Sequence, residues 1–246
     1  MGSTSKSFQL IQAVVGAGSN GATFSAAVRE SSVPKSTAHR LLNELTDLGA
    51  LRFDADSKTY FGGLLLARLG SSVAAGYDLR KIARPELERL HEQTGHTATL
   101  GIRDGDHGIY LDKVESRDFG IRLHSEIGKS FPLHCTGIGK VLLSQVDGDE
   151  LTKILHGKLG ALTKKTITNK TLLRKELGET LRRGYAIDDE EITRGLICIA
   201  APIFGPDGRI AGALSCTFPT WVRDDQGIEG EIQAVTQAAA AASPRP

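Results

Sequence analysis

Residues 33–51, VPKSTAHRLLNELTDLGAL, describe a helix with two unlike faces. Pro34 suits its first position, where the missing N–H would have no partner in any case. Ala38, Leu41, Leu42, Leu45 and Leu48 recur every three to four residues and make the buried stripe, and Gly49 ends the helix. The other face presents Lys35, Ser36, Thr37, His39, Arg40 and Asn43. Upstream, Phe8, Ile11 and Val15 mark a short amphipathic helix, residues 16–21 a loop, and Thr23 the cap of a second helix running to Val28. Downstream, Leu51-Arg52-Phe53 and Thr59-Tyr60-Phe61 flank the turn DADSK as a two-stranded wing. Helix, helix, turn, helix, wing is the order of a winged helix-turn-helix. Its third helix fits the major groove, where short polar and basic side chains reach base edges, and Arg52 and Lys58 would hold the neighbouring backbone. A small three-helix bundle with a solvated polar face satisfies the same pattern.

Residues 62–95 have mostly helical periodicity. Leu65, Leu66 and Leu69 share one apolar stretch, and Leu79, Ile82, Leu87 and Leu90 another, broken by Pro85 and stopped at Gly95. An apolar connector of this kind needs a surface to cover it, and a second subunit would supply one. Beyond it, 97–103 and 108–116 read as strands joined through Asp104-Gly105-Asp106-His107, with GIRLH (120–124) as a third. Helical patterns occupy 136–146, 149–156 and 170–183. Strands follow in RGYAID, GLICIAAPIF and GRIAGALSCTF, the last two hinged at residues 205–208, and a helix closes the chain over 226–242. The expected architecture is α+β: a DNA-binding domain over 1–65, a helical linker and dimerisation segment over 66–95, and an antiparallel sensor-like domain over 96–246.

The composition constrains the partners. The 246 residues carry 30 Lys+Arg and 29 Asp+Glu, a net charge of +1, which excludes a tail-driven polycation and an acidic solvating chain alike. Residues 1–65 are as balanced as the whole, with six basic side chains against five acidic ones. A DNA-reading unit of this charge must work by placement, with weak binding per subunit and a need for dimerisation. No apolar run approaches the roughly 20 residues that span a bilayer, and the first residues lack the pattern of a secretory signal. Cys135, Cys198 and Cys216 are odd in number and far apart, which favours reduced thiols in a cytoplasm.

Three motif blocks together resemble the IclR family of bacterial transcriptional regulators. VPKSTAHRLLNELTDLGAL and its wing are similar to the family's recognition helix. IGKSFPLHCTGIGKVLLSQ (127–145) resembles its Pro-x-His-x-(Ser/Thr)-Gly-x-Gly-Lys-x-Leu-Leu segment, and 183–219 resemble its effector-domain stretch. The likeness covers the chain from about Phe8 to its end. One departure stands out: Ser32 precedes Val33 where the family usually has Gly, and a left-handed backbone there would strain serine by roughly a kcal/mol.

The resemblance implies a GAF-like second domain that binds a small organic acid. Its pocket would include Leu123, Phe131, Gly137, Ile138, Asp188, Leu196, Cys198, Ser215 and Thr217. Thr136-Gly137-Ile138 would offer free helix N–H groups to a carboxylate, and Ser215 and Thr217, two apart on a strand, would donate hydroxyls from one face. Leu123, Phe131 and Leu196 would cover the apolar part of the ligand. Asp188 would accept from a ligand hydroxyl or a water. Each also has a plain structural reading: the glycines for close packing, Asp188 and Asp189 as caps of the next turn.

The chemistry of catalysis finds less support. His134-Cys135 invites a nucleophile reading, yet neighbours on a strand point to opposite faces. The run Asp188–Glu191 reads as a solvated loop. No metal-ligand spacing occurs, and no cofactor is expected. The contrasting function is an enzyme acting on a small acid through Cys135 or Cys198. The favoured one is a cytoplasmic, acid-responsive repressor that binds a pseudo-palindromic operator in double-stranded DNA as a homodimer or dimer of dimers, with no membrane partner.

Overall fold

The computed structural model describes residues 2–75, 78–116 and 125–243, in two compact units that divide at Gly76/Tyr77. The division falls inside the stretch read as linker, and each unit has its own core.

In the first unit α1 (Ser3–Gly16) precedes β1 (Ala22–Thr23), α2 (Phe24–Ser31) and α3 (Lys35–Asp47). The wing is β2 (Leu51–Asp54) and β3 (Thr59–Gly62), and α4 (Leu64–Ala75) follows. The core is Leu10, Val14, Ala27, Ala38, Leu41, Leu42 and Leu45 with Leu51 and Tyr60. Two apolar stripes overlap on α1, and the one that is buried contains Leu10 and Val14. Phe8 and Val15 are exposed, contrary to the expected face, and Ile11 lies at the edge between the two. Leu48 is exposed as well, because α3 stops at Asp47 and Gly49 (φ 74°) turns the chain away. Pro34 is the residue before α3 rather than its first, and its carbonyl accepts the Ala38 N–H at 2.8 Å.

Thr23 caps α2 by accepting the Ala26 N–H. That helix runs three residues past Val28 and ends on Ser32 at φ 55°, the left-handed conformation that disfavours serine. The wing has three strands, not two: β1 adds to β3 through Ala22↔Tyr60 and Thr23↔Thr59.

The second unit begins with α5 (Asp78–Thr94), which continues through Pro85. Pro85 lies on the exposed side, where solvent can satisfy the carbonyl it leaves unpaired. Ala83, Leu87 and Leu90 are the residues α5 buries, whereas Ile82 is largely exposed. Then come β4 (Thr97–Asp104), β5 (His107–Val114), β6 (Ser130–Pro132), α6 (Gly137–Ser144), α7 (Gly148–Ile154) and α8 (Lys170–Arg183). The chain continues with β7 (Ala186–Asp189), β8 (Leu196–Phe204), β9 (Ile210–Pro219), α9 (Thr220–Gln226) and α10 (Glu229–Ala242). The expected strand at 120–124 lies outside the described residues.

The six strands form one antiparallel sheet in the order β6-β5-β4-β9-β8-β7. Side-chain alternation gives it two unlike faces. Ala98, Leu100, Ile197, Ile199, Ile203, Leu214, Cys216 and Phe218 pack against α5 and the alanine-rich α10. The opposite face turns toward α6 with small or polar side chains: Thr99, Asp188, Cys198, Ala200, Ala213, Ser215 and Thr217. A dense face anchors the sheet, and a sparse face leaves room.

Candidate functional sites: a DNA-reading helix and a polar cavity

The first candidate surface is α3 with the wing. Lys35, Ser36, His39, Arg40 and Asn43 are exposed on one side of the helix and Thr37 is half-buried among them. No side chain caps the N-terminus of α3, so the N–H groups of its first turn remain available to an anion. Phe24 meets the His39 ring edge-on at 6.0 Å, and Glu44 holds the Arg40 guanidinium one turn along. On the wing Arg52 lies over the Phe61 ring at 4.6 Å. Exposed Lys58 sits at the tight turn with φ 51°, beside an Asp54–Ser57 hydrogen bond that closes it.

The second site is a cavity of about 50 Å³ on the sparse face of the sheet. Its walls bring together Ile138, Asp188, Leu196, Cys198, Ser215 and Thr217 from the expected set, joined by Thr99, Tyr110, Ser125, Thr136, Ile192 and Thr193. Register explains the grouping. Asp188 lies opposite Cys198, Cys198 opposite Thr217, and Thr99 opposite Ser215, so two neighbouring rows of side chains, drawn from four strands, meet on one face. Thr99 could have been found from sequence only by pairing 97–103 with 210–219, and Tyr110 gives no local sign at all. Gly137 is not a wall residue; it abuts β8, where a Cβ would come within 3.2 Å of the Cys198 sulfur. Phe131 is a floor beneath the wall, with its ring 4.3 Å from that of Tyr110. Leu123 lies outside the described residues.

Donors outnumber charges here. Thr136 caps α6 by accepting the Gly139 N–H at 3.0 Å, and the Gly137 N–H is engaged by Cys198, so the helix-end donor left to a ligand is that of Ile138. The hydroxyls of Thr217 and Ser215 and the Gly137 N–H converge on the Cys198 sulfur. Burial, and next the Asp188 charge, still push that thiol up to about 11.

Asp188 is almost wholly buried, and its Oδ1 accepts the Glu191 N–H at 2.7 Å, forming the turn after β7. Burial raises its carboxyl to about 7, with the Glu191 charge adding to the rise. The run Asp188–Glu191 is therefore not a solvated loop. Glu191 is buried too, because Lys140 of α6, itself buried, donates to its carboxylate and to the Ile187 carbonyl.

His134 and Cys135 lie in a 3₁₀ turn (Leu133–Cys135), not on a strand, so alternation is not what separates them. His134 bonds to the Gly160 carbonyl at 2.9 Å, while burial and the Asp188 charge push the Cys135 thiol up to about 12. At neutral pH neither Cys135 nor Cys198 is a thiolate nucleophile. Among the described residues no cluster of His, Cys, Asp and Glu could hold a metal ion, and no helix is long and apolar enough to cross a membrane.

The comparisons with known proteins cover both units. Residues 3–55 match the IclR helix-turn-helix domain, and residues 71–244 match the bacterial transcriptional regulator IclR C-terminal domain. The HTH-type transcriptional regulator XynR of Escherichia coli (strain K12) is 34% identical over 210 residues, 85% of this chain and 83% of that protein. The transcriptional repressor IclR of the same organism is 34% identical over 205 residues, 82% of this chain and 74% of that one. An IclR homolog from Microbacterium hydrocarbonoxydans, crystallised with 4-hydroxybenzoate, has the same fold with a TM-score of 0.83 at 22% identity, over 98% of each chain. With a helix-turn-helix in one unit and the regulator domain in the other, the chain belongs to the IclR family of bacterial transcriptional regulators and is a DNA-binding regulator rather than an enzyme.

Proposed function

We propose that this protein is a cytoplasmic repressor whose hold on DNA is released by a compact organic acid bound on the sparse face of the second-unit sheet. The observation that carries the reading is the cavity itself. Among the described residues, neutral hydroxyl and backbone donors surround a site without a cationic wall, which suits one carboxylate held by hydrogen bonds. Leu196, Ile138 and Ile192 supply an apolar side. Asp188, with its raised carboxyl, is a donor while protonated and repels a second carboxylate once ionised. The chemistry is that of a carboxylic acid such as the one named with the Microbacterium homolog, without identifying the acid.

On DNA, Thr37, His39, Arg40 and Asn43 would approach base edges, and Lys35, Ser36, Arg52 and Lys58 would contact phosphates. With only six basic residues against five acidic ones in residues 1–65, one unit binds weakly. A homodimer or dimer of dimers on a pseudo-palindromic operator supplies the remainder, with residues 66–95 as the expected interface. The acid shifts the protein between arrangements of its two reading heads and so must bind one of them more tightly.

A thermal-shift screen of small carboxylic acids tests the pocket. At least one short monocarboxylic acid should stabilise the wild type, and Ser215→Ala should lose most of that shift. Equal shifts in the two proteins would remove Ser215 from the site.

A further inference from the structure

The register of β4 against β5 slips between Leu100 and Gly101: Gly101 faces Tyr110, but Leu100 faces Asp112. One extra residue, Leu111, is accommodated on β5, and a bulge of this kind reverses the alternation that follows it. Tyr110 therefore points into the cavity, whereas Leu111 and Asp112 both point to the dense face under α5.

There Asp112, 1% exposed, is gripped twice. Arg80 Nε donates to its Oδ2 at 3.1 Å and Arg84 donates to its Oδ1 at 3.2 Å, both from the first two turns of α5. Arg84 also reaches the Lys113 carbonyl at 3.4 Å, and the Lys113 N–H donates to Oδ1 at 2.8 Å, so side chain and bulged backbone are held as one piece. The second half of α5 is fixed by a different means, through buried Leu87 and Leu90. The residue at the cavity wall and the residue holding the start of α5 are thus two apart on one bulged strand. Arg80 lies only a few residues beyond the Gly76/Tyr77 division, where the chain leaves for the first unit.

We propose that Asp112 is the positioning residue that links the occupancy of the cavity to the start of α5, with the β5 bulge as the moving part. The inference rests on the acid-binding reading of the cavity. A ligand that moves Tyr110 displaces the bulge, the Asp112 carboxylate follows, and Arg80 and Arg84 carry the first turns of α5 with it. A short charged grip suits this better than apolar packing, because a small displacement changes two directional hydrogen bonds at once.

The test uses the full chain with neither acid nor DNA, so its failure is separate from failure of the acid-binding reading. Hydrogen–deuterium exchange is followed over residues 79–86 and 87–94 in the wild type, Tyr110→Leu, Asp112→Asn and the double variant. The expected result is exchange about tenfold faster over 79–86 in each single variant, no further increase in the double, and wild-type rates over 87–94. Unchanged exchange over 79–86 in Tyr110→Leu, multiplied effects in the double variant, or equal acceleration of both segments would overturn the proposal. Should Tyr110→Leu fail to fold, Arg80→Gln/Arg84→Gln runs the test in reverse. It should speed labelling of Cys198 by a small maleimide several-fold, and an unchanged rate would overturn it.

Discussion

The two faces of the second-unit sheet are made by the same strands and, outside the β5 bulge, differ only in parity. Along β9, Leu214, Cys216 and Phe218 point one way and Ala213, Ser215 and Thr217 the other; along β8, Ile197 and Ile199 oppose Cys198 and Ala200. Large aliphatic residues on one side fill the space up to α5 and α10, and small polar ones on the other fall short of α6, which leaves a cavity. Stability and binding are thereby separated residue by residue on one backbone. Truncation of an apolar side chain on the dense face should act mainly on stability, and substitution of an uncharged side chain on the sparse strands mainly on binding.

The largest expected effect is on the dense face. Leu214→Ala should cost about 2–5 kcal/mol, measured by urea denaturation, while Thr217→Val on the other face should cost about 1 kcal/mol or less. Equal costs would break the comparison. Next comes the price of burying Asp188 on the binding face. Its carboxyl rises from 3.8 unfolded to about 7 folded, so the folded state holds the proton more tightly. The associated stability is fully present below pH 4 and is lost as pH rises through 7, about 4 kcal/mol at most. Asp188→Asn should flatten that part of the pH–stability curve, and a curve unchanged by the substitution would contradict the assignment. A smaller effect is expected at Thr136, the cap of the helix that roofs the cavity. Thr136→Ala should cost about 1 kcal/mol in the same denaturation assay, whereas Thr136→Ser should retain most of the stability.

The same contrast explains what the sequence could reveal. The apolar stripe on residues 38–45 is periodic and local, so the reading helix was legible from spacing alone, though Leu48 fell beyond its end. On α1 two stripes compete, and spacing could not choose between Phe8/Val15 and Leu10/Val14. Ser215 and Thr217 share a face by parity, but Thr99 joins them only through a strand pairing more than 100 residues away. Tyr110 and Asp112 mislead any reader of parity, since the bulge at Leu111 places them on opposite faces. Asp188–Glu191 looked solvated because nothing nearby in sequence indicates that Lys140, on α6, is buried against Glu191. Local periodicity was readable, and partners distant in sequence were not.

On the proposed function, an acid on the sparse face governs DNA binding through α3. The most direct measurement is the affinity of the full-length protein for its own upstream DNA at fixed moderate salt, by fluorescence anisotropy, with and without an acid that stabilises the wild type. The expected result is a change of tenfold or more with the acid, no response in Ser215→Leu, whose larger side chain fills the cavity, and at least tenfold weaker binding in Arg40→Ala. Acid-independent affinity in the wild type, or an Arg40→Ala protein that binds as tightly, would contradict it.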